Sequence, residues 1–360
     1  MEKSLLVESN IKGQLFDDIK EVAETDMDWS QLEGKTVLIT GASGFISFHL
    51  VAALLLRNDM YNSNITVMGM IRSLDRALKK YGNLAEREDL ILEEQDVCTP
   101  FDLLLPADYV IHAASQASNW HFENDPVGTI RANLVGTDNA LEYARRCGAV
   151  TLIVSSLKTY GLVTDGSHEL MEESQGYIDP DSYKNCYAVG KRASETLAAS
   201  YAKQYGLDVK LVRPSYIFGA ASLDDDRVWA QFIANVVRGE NILLKSNGAP
   251  YRSFCYVTDT ARAILMVLLK GENVFPYNIS SKEGDVTIRD FAKKAVEAFP
   301  ERGLSLSFAN PEDEKEVTID YSKQTPEIMN SDKLRGLGWE PYVDITEGIK
   351  RAVRILEELM

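Results

Sequence analysis

Tyr187 and Lys191 stand four residues apart in Tyr187-Ala-Val-Gly-Lys191, downstream of a strand-like run that ends in Ser155-Ser156. Residues at i and i+4 of a helix share a face one turn apart, so a helix beginning near Tyr187 sets a phenol beside an ammonium. A neighbouring cation favours the phenolate and lowers its pKa. Tyr187 is therefore a candidate proton carrier for a hydroxyl group near neutral pH. Far upstream lies a glycine-rich turn, Thr40-Gly-Ala-Ser-Gly44-Phe-Ile-Ser47. The combination describes hydride-transfer chemistry.

Elements that would position these residues follow from the hydrophobic pattern. From Lys35 short β-branched runs alternate with longer helical patterns, the signature of parallel βαβ units. Strands are expected near Thr36–Ile39, Ile65–Met70, Leu90–Gln95, Tyr109–His112, Thr151–Val154 and Lys210–Arg213, and helices over Ile46–Arg57, Pro126–Arg146 and Tyr187–Tyr205. After Gly219 the pattern turns irregular and then α+β, with helices near Val228–Arg238, Val257–Lys270, Ile288–Ala298 and Ile345–Glu358. The reading divides the chain into a helical extension (1–34), a dinucleotide-binding domain (35–215) and a mainly substrate-binding lobe (216–360) that returns some segments to the domain before it. Leu15, Phe16, Ile19 and Val22 give the extension a near-helical apolar stripe, suited either to packing or to a regulatory arm.

A strand ending at Thr40 that runs into Gly41-x-x-Gly44-x-x-Ser47 and then an apolar helix aims N–H groups and a helix dipole at a pyrophosphate. Gly41, Ser43, Gly44, Phe45 and Ile46 are the candidate contacts, with Ser47 standing where a last small residue lets the helix pack closely. An acid at the end of the second strand would select a ribose 2′-hydroxyl; Met70-Ile71-Arg72 stands there instead. Arg72 either binds a 2′-phosphate, a lean toward NADP over NAD, or is a solvated charge or adenine stack. Asp96-Val97 after the third strand either meets the adenine amino group or caps its own loop.

The 360 residues carry a formal net charge of -16 and a pI near 4.8, which argues against a nucleic-acid partner because phosphate backbones need a concentrated basic surface. Local arginines and backbone N–H groups must then hold any anionic substrate. Cys98, Cys147, Cys186 and Cys255 are scattered without a C-x-x-C pair, so neither a zinc site nor a disulfide framework is expected. No leader-like start or long apolar span is evident, which makes no membrane and a cytoplasmic setting the expectation.

The motifs together resemble those of the extended short-chain dehydrogenase/reductase family of nucleotide-sugar epimerases, dehydratases and decarboxylases. The likeness runs from Lys35 onward through Thr40-Gly-Ala-Ser-Gly44-Phe-Ile, His112-Ala-Ala, Asn133 ahead of Gly136-Thr, Ser155-Ser156-x-x-x-Tyr160-Gly161, Tyr187-x-x-x-Lys191, Arg213-Pro214, Arg252-Ser-Phe-Cys-Tyr-Val-x-Asp259 and Leu337-Gly-Trp-Glu-Pro341. It implies a Rossmann-like, doubly wound α/β sheet with a smaller C-terminal α+β lobe, bound NAD or NADP, a nucleotide-diphosphate sugar and a homodimer. Carried over by position, Ser156, Tyr187 and Lys191 are the catalytic residues. Ala113, Ala114, Asn133 and Pro214 join the cofactor contacts, and Ser115, Lys158, Tyr216 and Arg252 fall to the substrate, with Arg252 on the diphosphate. Arg213 reads as structural, and a second phosphate-binding cation is sought among Lys315, Lys323 and Arg335. The segment Val163–Lys184, with Glu172, Glu173 and Tyr183, is expected to overhang the sugar.

Cys186-Tyr187-Ala-Val-Gly-Lys191-Arg192 is especially similar to the UDP-glucuronate decarboxylases of that family. Yet where decarboxylases and 4,6-dehydratases carry polar or acidic residues after the catalytic hydroxyl residue, Ser156 is followed by Leu157-Lys158. Lys158 reads as a surface lysine or a substrate-anion ligand, or as an acid/base if its pKa is depressed. Without the carboxylates an elimination needs, a 4-keto intermediate that is re-reduced, hence epimerisation, is preferred. Decarboxylation and 4,6-dehydration are the alternatives. A nucleotide-sugar or NAD(P) binder without turnover is the alternative of another class.

Overall fold

Short apolar runs rich in Val, Ile and Leu, each followed by a helix, bury both faces of a strand and so build a parallel sheet covered on both sides. The computed structural model describes residues 11–103, 105–315 and 327–360. Its strands are β1 Thr36–Thr40, β2 Thr66–Ile71, β3 Leu90–Glu94, β4 Tyr109–His112, β5 Val150–Val154, β6 Val209–Pro214, β7 Tyr216–Phe218, β8 Ile242–Leu244, β9 Tyr251–Tyr256, β10 Pro276–Ile279, β11 Asp285–Thr287 and β12 Leu306–Phe308. Seven of them form one parallel sheet in the order β10-β6-β5-β4-β1-β2-β3. The chain moves outward from β1 through β2 to β3, then returns to set β4 on the other side of β1. That reversal opens a crevice at the carboxyl ends of β1 and β4, where ligands bind in such sheets. The fold is Rossmann-like, as expected.

Helix Phe45–Tyr61, which packs on helices Gly13–Ala23 and Val257–Lys270, and helices Pro126–Cys147 and Cys186–Tyr205, which pack on each other, flank the sheet. Two of them start one residue earlier than expected, at Phe45 and Cys186. Two short helices, Leu74–Tyr81 and Asn119–Asn124, arise where no apolar periodicity marked one. From Tyr216 onward three strands pair as β11-β9-β7 and two as β12-β8, with helices Val228–Arg238, Ile288–Glu297 and Ile345–Leu359 around them. β10 leaves this region to close the large sheet beside β6.

Helix Gly13–Ala23 buries Leu15, Ile19, Val22 and Ala23 against the body. Its one buried charge, Asp18, accepts a hydrogen bond from the Tyr256 hydroxyl at 2.6 Å and pairs with Arg351 at 3.2 Å. Asp259 anchors the far end of the chain in the same way: its carboxylate accepts from the N–H groups of Tyr342 and Val343 and from Arg262, and its carbonyl accepts from the Trp339 indole. Cys98, Cys147, Cys186 and Cys255 are free thiols. Among the described residues no helix is long and apolar enough to cross a membrane, and no His, Cys, Asp and Glu cluster could hold a metal.

Candidate active site

The carboxyl edge of the large sheet carries the glycine-rich turn after β1, the turn of Ala113 to Ser115 after β4 and Ser156 after β5. Gly41 follows β1 with φ +66°, and a Cβ there would lie 2.9 Å from the Ala114 Cα. Only glycine lets the two turns approach so closely. Gly44 is equally confined, because its Cβ would meet the Gly41 carbonyl at 2.9 Å. Gly44 caps helix 45–61 without a side-chain hydrogen bond, so the first-turn N–H groups of Phe45 and Ile46 point outward for a ligand. Helix Leu74–Tyr81 ties the carbonyls of this turn down from behind: Lys80 Nζ donates to those of Ser43 and Gly44, and the Tyr81 hydroxyl to that of Ala42. Neither residue was legible, since helix 74–81 itself was not expected.

At the end of β4, the Thr40 hydroxyl accepts from the N–H groups of Ala113 and Ala114 and is bonded at 2.9 Å to His112 Nδ1. Burial holds His112 neutral, with its pKa lowered to about 3. Ser115 donates to Asn133, whose amide also donates to the Thr129 carbonyl. Arg72, just past β2, is exposed and forms no hydrogen bond or ion pair among the described residues. Asp96 accepts from the N–H of Cys98 at 2.8 Å, which is the loop-capping role. Val97 is buried against Gly136, and Pro214 ends β6 opposite Ile279. A turn built on glycine approach with outward N–H groups fits a dinucleotide pyrophosphate.

Helix Cys186–Tyr205 carries both Tyr187 and Lys191. Gly190 lets it sit against helix 126–147, because a Cβ there would come 3.0 Å from that of Asn133. Lys191 is buried and donates to the Val154 carbonyl at 2.7 Å, while its Nζ lies 5.8 Å from the centre of the Tyr187 ring. Burial lowers Lys191 to about 8, with Glu195 acting the other way. The expectation that Lys191 makes Tyr187 acidic is corrected here. Burial raises the phenol above its usual value, and the groups that pull it back are the Ser156 hydroxyl, by a hydrogen bond, and the charge of Lys158. Phe122 of helix Asn119–Asn124 stacks on the Tyr187 ring at 5.1 Å, a contact no spacing announced.

Ser156 is buried at the end of β5, where its hydroxyl accepts from the Lys158 N–H at 3.2 Å and starts a turn over Leu157–Tyr160. That turn swings Lys158 into a cavity of about 450 Å³ shared with Asn185, Ala188 and Tyr177. Lys158 is no lone surface lysine. Its Nζ donates to Glu327 at 2.5 Å and to the Tyr216 hydroxyl at 2.9 Å. Burial works to depress its pKa, but Tyr216 and Glu327 outweigh it and the result is raised, so the depressed-pKa acid/base reading fails. Arg252 NH1 also reaches Glu327, at 2.5 Å, and Tyr216 donates to it at 2.9 Å. Three of the expected substrate residues thus converge on one carboxylate the sequence did not single out. Although burial would raise Glu327, Lys158 and Arg252 hold it below the usual carboxylate range.

Other expectations resolve differently. Glu172 turns away from the sugar side: it is buried, its carboxylate accepts from the Asn278 N–H, and its carbonyl accepts from Arg213. Glu173 pairs with Lys333, and the Tyr183 hydroxyl with Glu123. Arg213 is structural as expected, forked onto Glu195 through Nε at 2.9 Å and NH2 at 2.6 Å. Lys315 pairs with Glu312 and Arg335 with Glu340, so neither stands free for a second phosphate. Lys323 lies outside the described residues.

A family model described as the NAD dependent epimerase/dehydratase family matches residues 37–280. UDP-glucuronic acid decarboxylase 6 of Arabidopsis thaliana is 34% identical over 317 residues, 87% of this chain and 86% of that protein. UDP-glucuronic acid decarboxylase 1 of Xenopus tropicalis is 30% identical over 330 residues, 90% of this chain and 72% of that protein. Among solved structures, UDP-glucose 4-epimerase of Thermotoga maritima with UDP-glucose superposes with a TM-score of 0.72 at 22% identity, over 90% of this chain and 99% of that one. UDP-glucuronic acid 4-epimerase of Bacillus cereus, in complex with UDP-glucuronic acid and NAD, gives 0.72 at 21%, over 90% and 100%. These two share the fold.

Proposed function

The chain belongs to the NAD dependent epimerase/dehydratase family, and we propose that within it this protein is a nucleotide-sugar 4-epimerase. Gly41, Ser43, Gly44, Phe45 and Ile46 would hold the pyrophosphate of the dinucleotide, Arg72, Asp96 and Val97 its adenosine side, and Ala113, Ala114, Asn133, Lys191 and Pro214 its other half. Arg72, exposed and unengaged among the described residues, supports acceptance of a 2′-phosphate, hence of NADP beside NAD. When bound, the dinucleotide supplies the hydride acceptor and donor.

The residues of the chain do the rest. Ser156 and Tyr187 orient one sugar hydroxyl, taken as that on C4, and the phenol oxygen removes its proton as the carbon is oxidised. Lys158 favours the phenolate by its charge. The Phe122 ring keeps water from one side of the phenol. Ser115 at the crevice and Arg252 beyond Tyr216 hold the substrate, with the Arg252 fork on its diphosphate. Return of the proton from Tyr187, after the 4-keto sugar has presented its other face, completes an inversion at C4.

One observation favours inversion over loss of water. The carboxylate that reaches this cavity, Glu327, is held ionised by Lys158 and Arg252, and the position two after Ser156 is the raised Lys158. These groups thus provide a carboxylate and a firmly protonated ammonium, not a carboxylic acid to protonate a departing hydroxide. Decarboxylation is the second reading, favoured by the 34% and 30% identity to UDP-glucuronic acid decarboxylases. Incubation with a panel of nucleotide sugars, read by mass spectrometry, separates the two. An epimer of unchanged mass is expected; loss of carbon dioxide would select the second reading, and loss of water a dehydratase.

A further inference from the structure

The Lys158, Tyr216 and Arg252 donors form a nest for an anion, and the chain fills it with its own Glu327. Oε1 accepts from Lys158 at 2.5 Å; Oε2 accepts from Tyr216 at 2.9 Å and pairs with Arg252 at 2.5 Å. The backbone around Glu327 is fixed from both sides. It bridges Arg252 in parallel while its carbonyl accepts from the Ser253 N–H, and two residues on, Met329 bridges Leu170. The Ser253 hydroxyl accepts from the Met329 N–H at 3.0 Å and closes the arrangement. Glu327 keeps 15% of its side-chain exposure, and it lines the cavity that Lys158 enters.

Among the described residues lining that cavity, Lys158 is the one cation and the carboxylates are Glu327 and Asp179. A sugar bearing a C6 carboxylate, placed with its C4 hydroxyl at Ser156 and Tyr187, would therefore meet a cation already paired with Glu327 and a like charge beside it. Such juxtaposition is strongly unfavourable in a partly desolvated site. A neutral C6 hydroxymethyl meets no such conflict. The diphosphate is not penalised equally, because Arg252 uses only NH1 on Glu327 and on the Tyr251 carbonyl, leaving Nε and NH2 available among the described residues.

We propose that Glu327 is a specificity-determining residue that, by occupying Lys158, Tyr216 and Arg252, selects nucleotide sugars uncharged at C6 and excludes uronates. The inference rests on the nucleotide-sugar reading of the site and sharpens it to neutral hexoses.

The test uses UDP-glucose and UDP-glucuronate as probes that differ at C6, titrated calorimetrically into the NAD-saturated protein carrying Tyr187→Phe so that neither is consumed. This parent should bind UDP-glucose about tenfold or more tighter than UDP-glucuronate. Adding Glu327→Gln, which keeps the shape and removes the charge, should strengthen UDP-glucuronate binding about tenfold and shrink the preference. Glu327→Asp should retain the preference. Equal or tighter binding of UDP-glucuronate by the parent overturns the proposal without any change at 327. So does an unchanged ratio in Glu327→Gln, or no measurable UDP-glucuronate binding in either form. Failure of the epimerase reading looks different: the chain with Tyr187 intact would bind UDP-glucose and return no epimer, whatever the binding ratio.

Discussion

Tyr187 shows how far a side chain's chemistry depends on what surrounds it. Spacing alone assigned its acidity to Lys191, yet that ammonium points at the Val154 carbonyl, and Ser156 and Lys158 are the groups that counter the burial of the phenol. Replacement by Phe keeps the stack on Phe122 and removes only the oxygen. Turnover should then fall by about 10²–10⁴-fold, the usual contribution of a positioned proton carrier, with NAD affinity nearly unchanged when followed by fluorescence titration. Loss of NAD binding in that variant would instead make Tyr187 a structural residue. Arg72 is testable with equal economy. Arg72→Ala should weaken NADP markedly and NAD little, whereas equal affinities before and after would identify a solvated charge.

At the level of elements, strands β1 to β6 were legible to within about a residue at either end, because short apolar runs alternating with helical patterns have few other uses. Helices Leu74–Tyr81 and Asn119–Asn124 were not, being short and sparingly buried. Both nevertheless shape the site, through Lys80 and Tyr81 behind the glycine-rich turn and through Phe122 on Tyr187. Close approach between elements gives a sharper prediction. Gly190→Leu would press a side chain into Asn133 at the joint of helices 126–147 and 186–205. Overpacking of this kind costs about 1–3 kcal/mol; a drop in the chemical-denaturation midpoint together with lower turnover is expected, since the same helix carries Tyr187 and Lys191. Unchanged stability would mean that the helices separate freely at this point.

Across the whole molecule, the contacts that matter most join positions remote in sequence. Glu327 meets Lys158 and Arg252, and Asp18 meets Tyr256 and Arg351. A solitary glutamate has no periodicity or motif to announce it, which is why Lys158, Tyr216 and Arg252 could be singled out as candidates one by one and the carboxylate they share could not. The Asp18 latch makes a pH prediction. Burial raises Asp18 from 3.8 to about 6 in the folded chain. The folded state therefore binds the proton more tightly than the unfolded one, and the associated stability is complete below about pH 4 and lost as pH rises through about 6. Buried His49, lowered to about 4, works in the opposite sense below its unfolded value of 6.5, so the informative quantity is a difference. Compared with Asp18→Asn, the natural chain should gain up to roughly 3 kcal/mol between pH 7 and pH 4 in denaturant titrations; a constant difference would show that Asp18 titrates as if exposed. The central claim, reversible oxidation of a sugar carbon beside Tyr187 and Ser156, is tested most directly with UDP-glucose deuterated at C4. The account predicts a product of unchanged mass, inverted at C4 and still carrying the deuterium there when examined by NMR. A product short of carbon dioxide or water, or an inverted product with the label gone from C4, would contradict it.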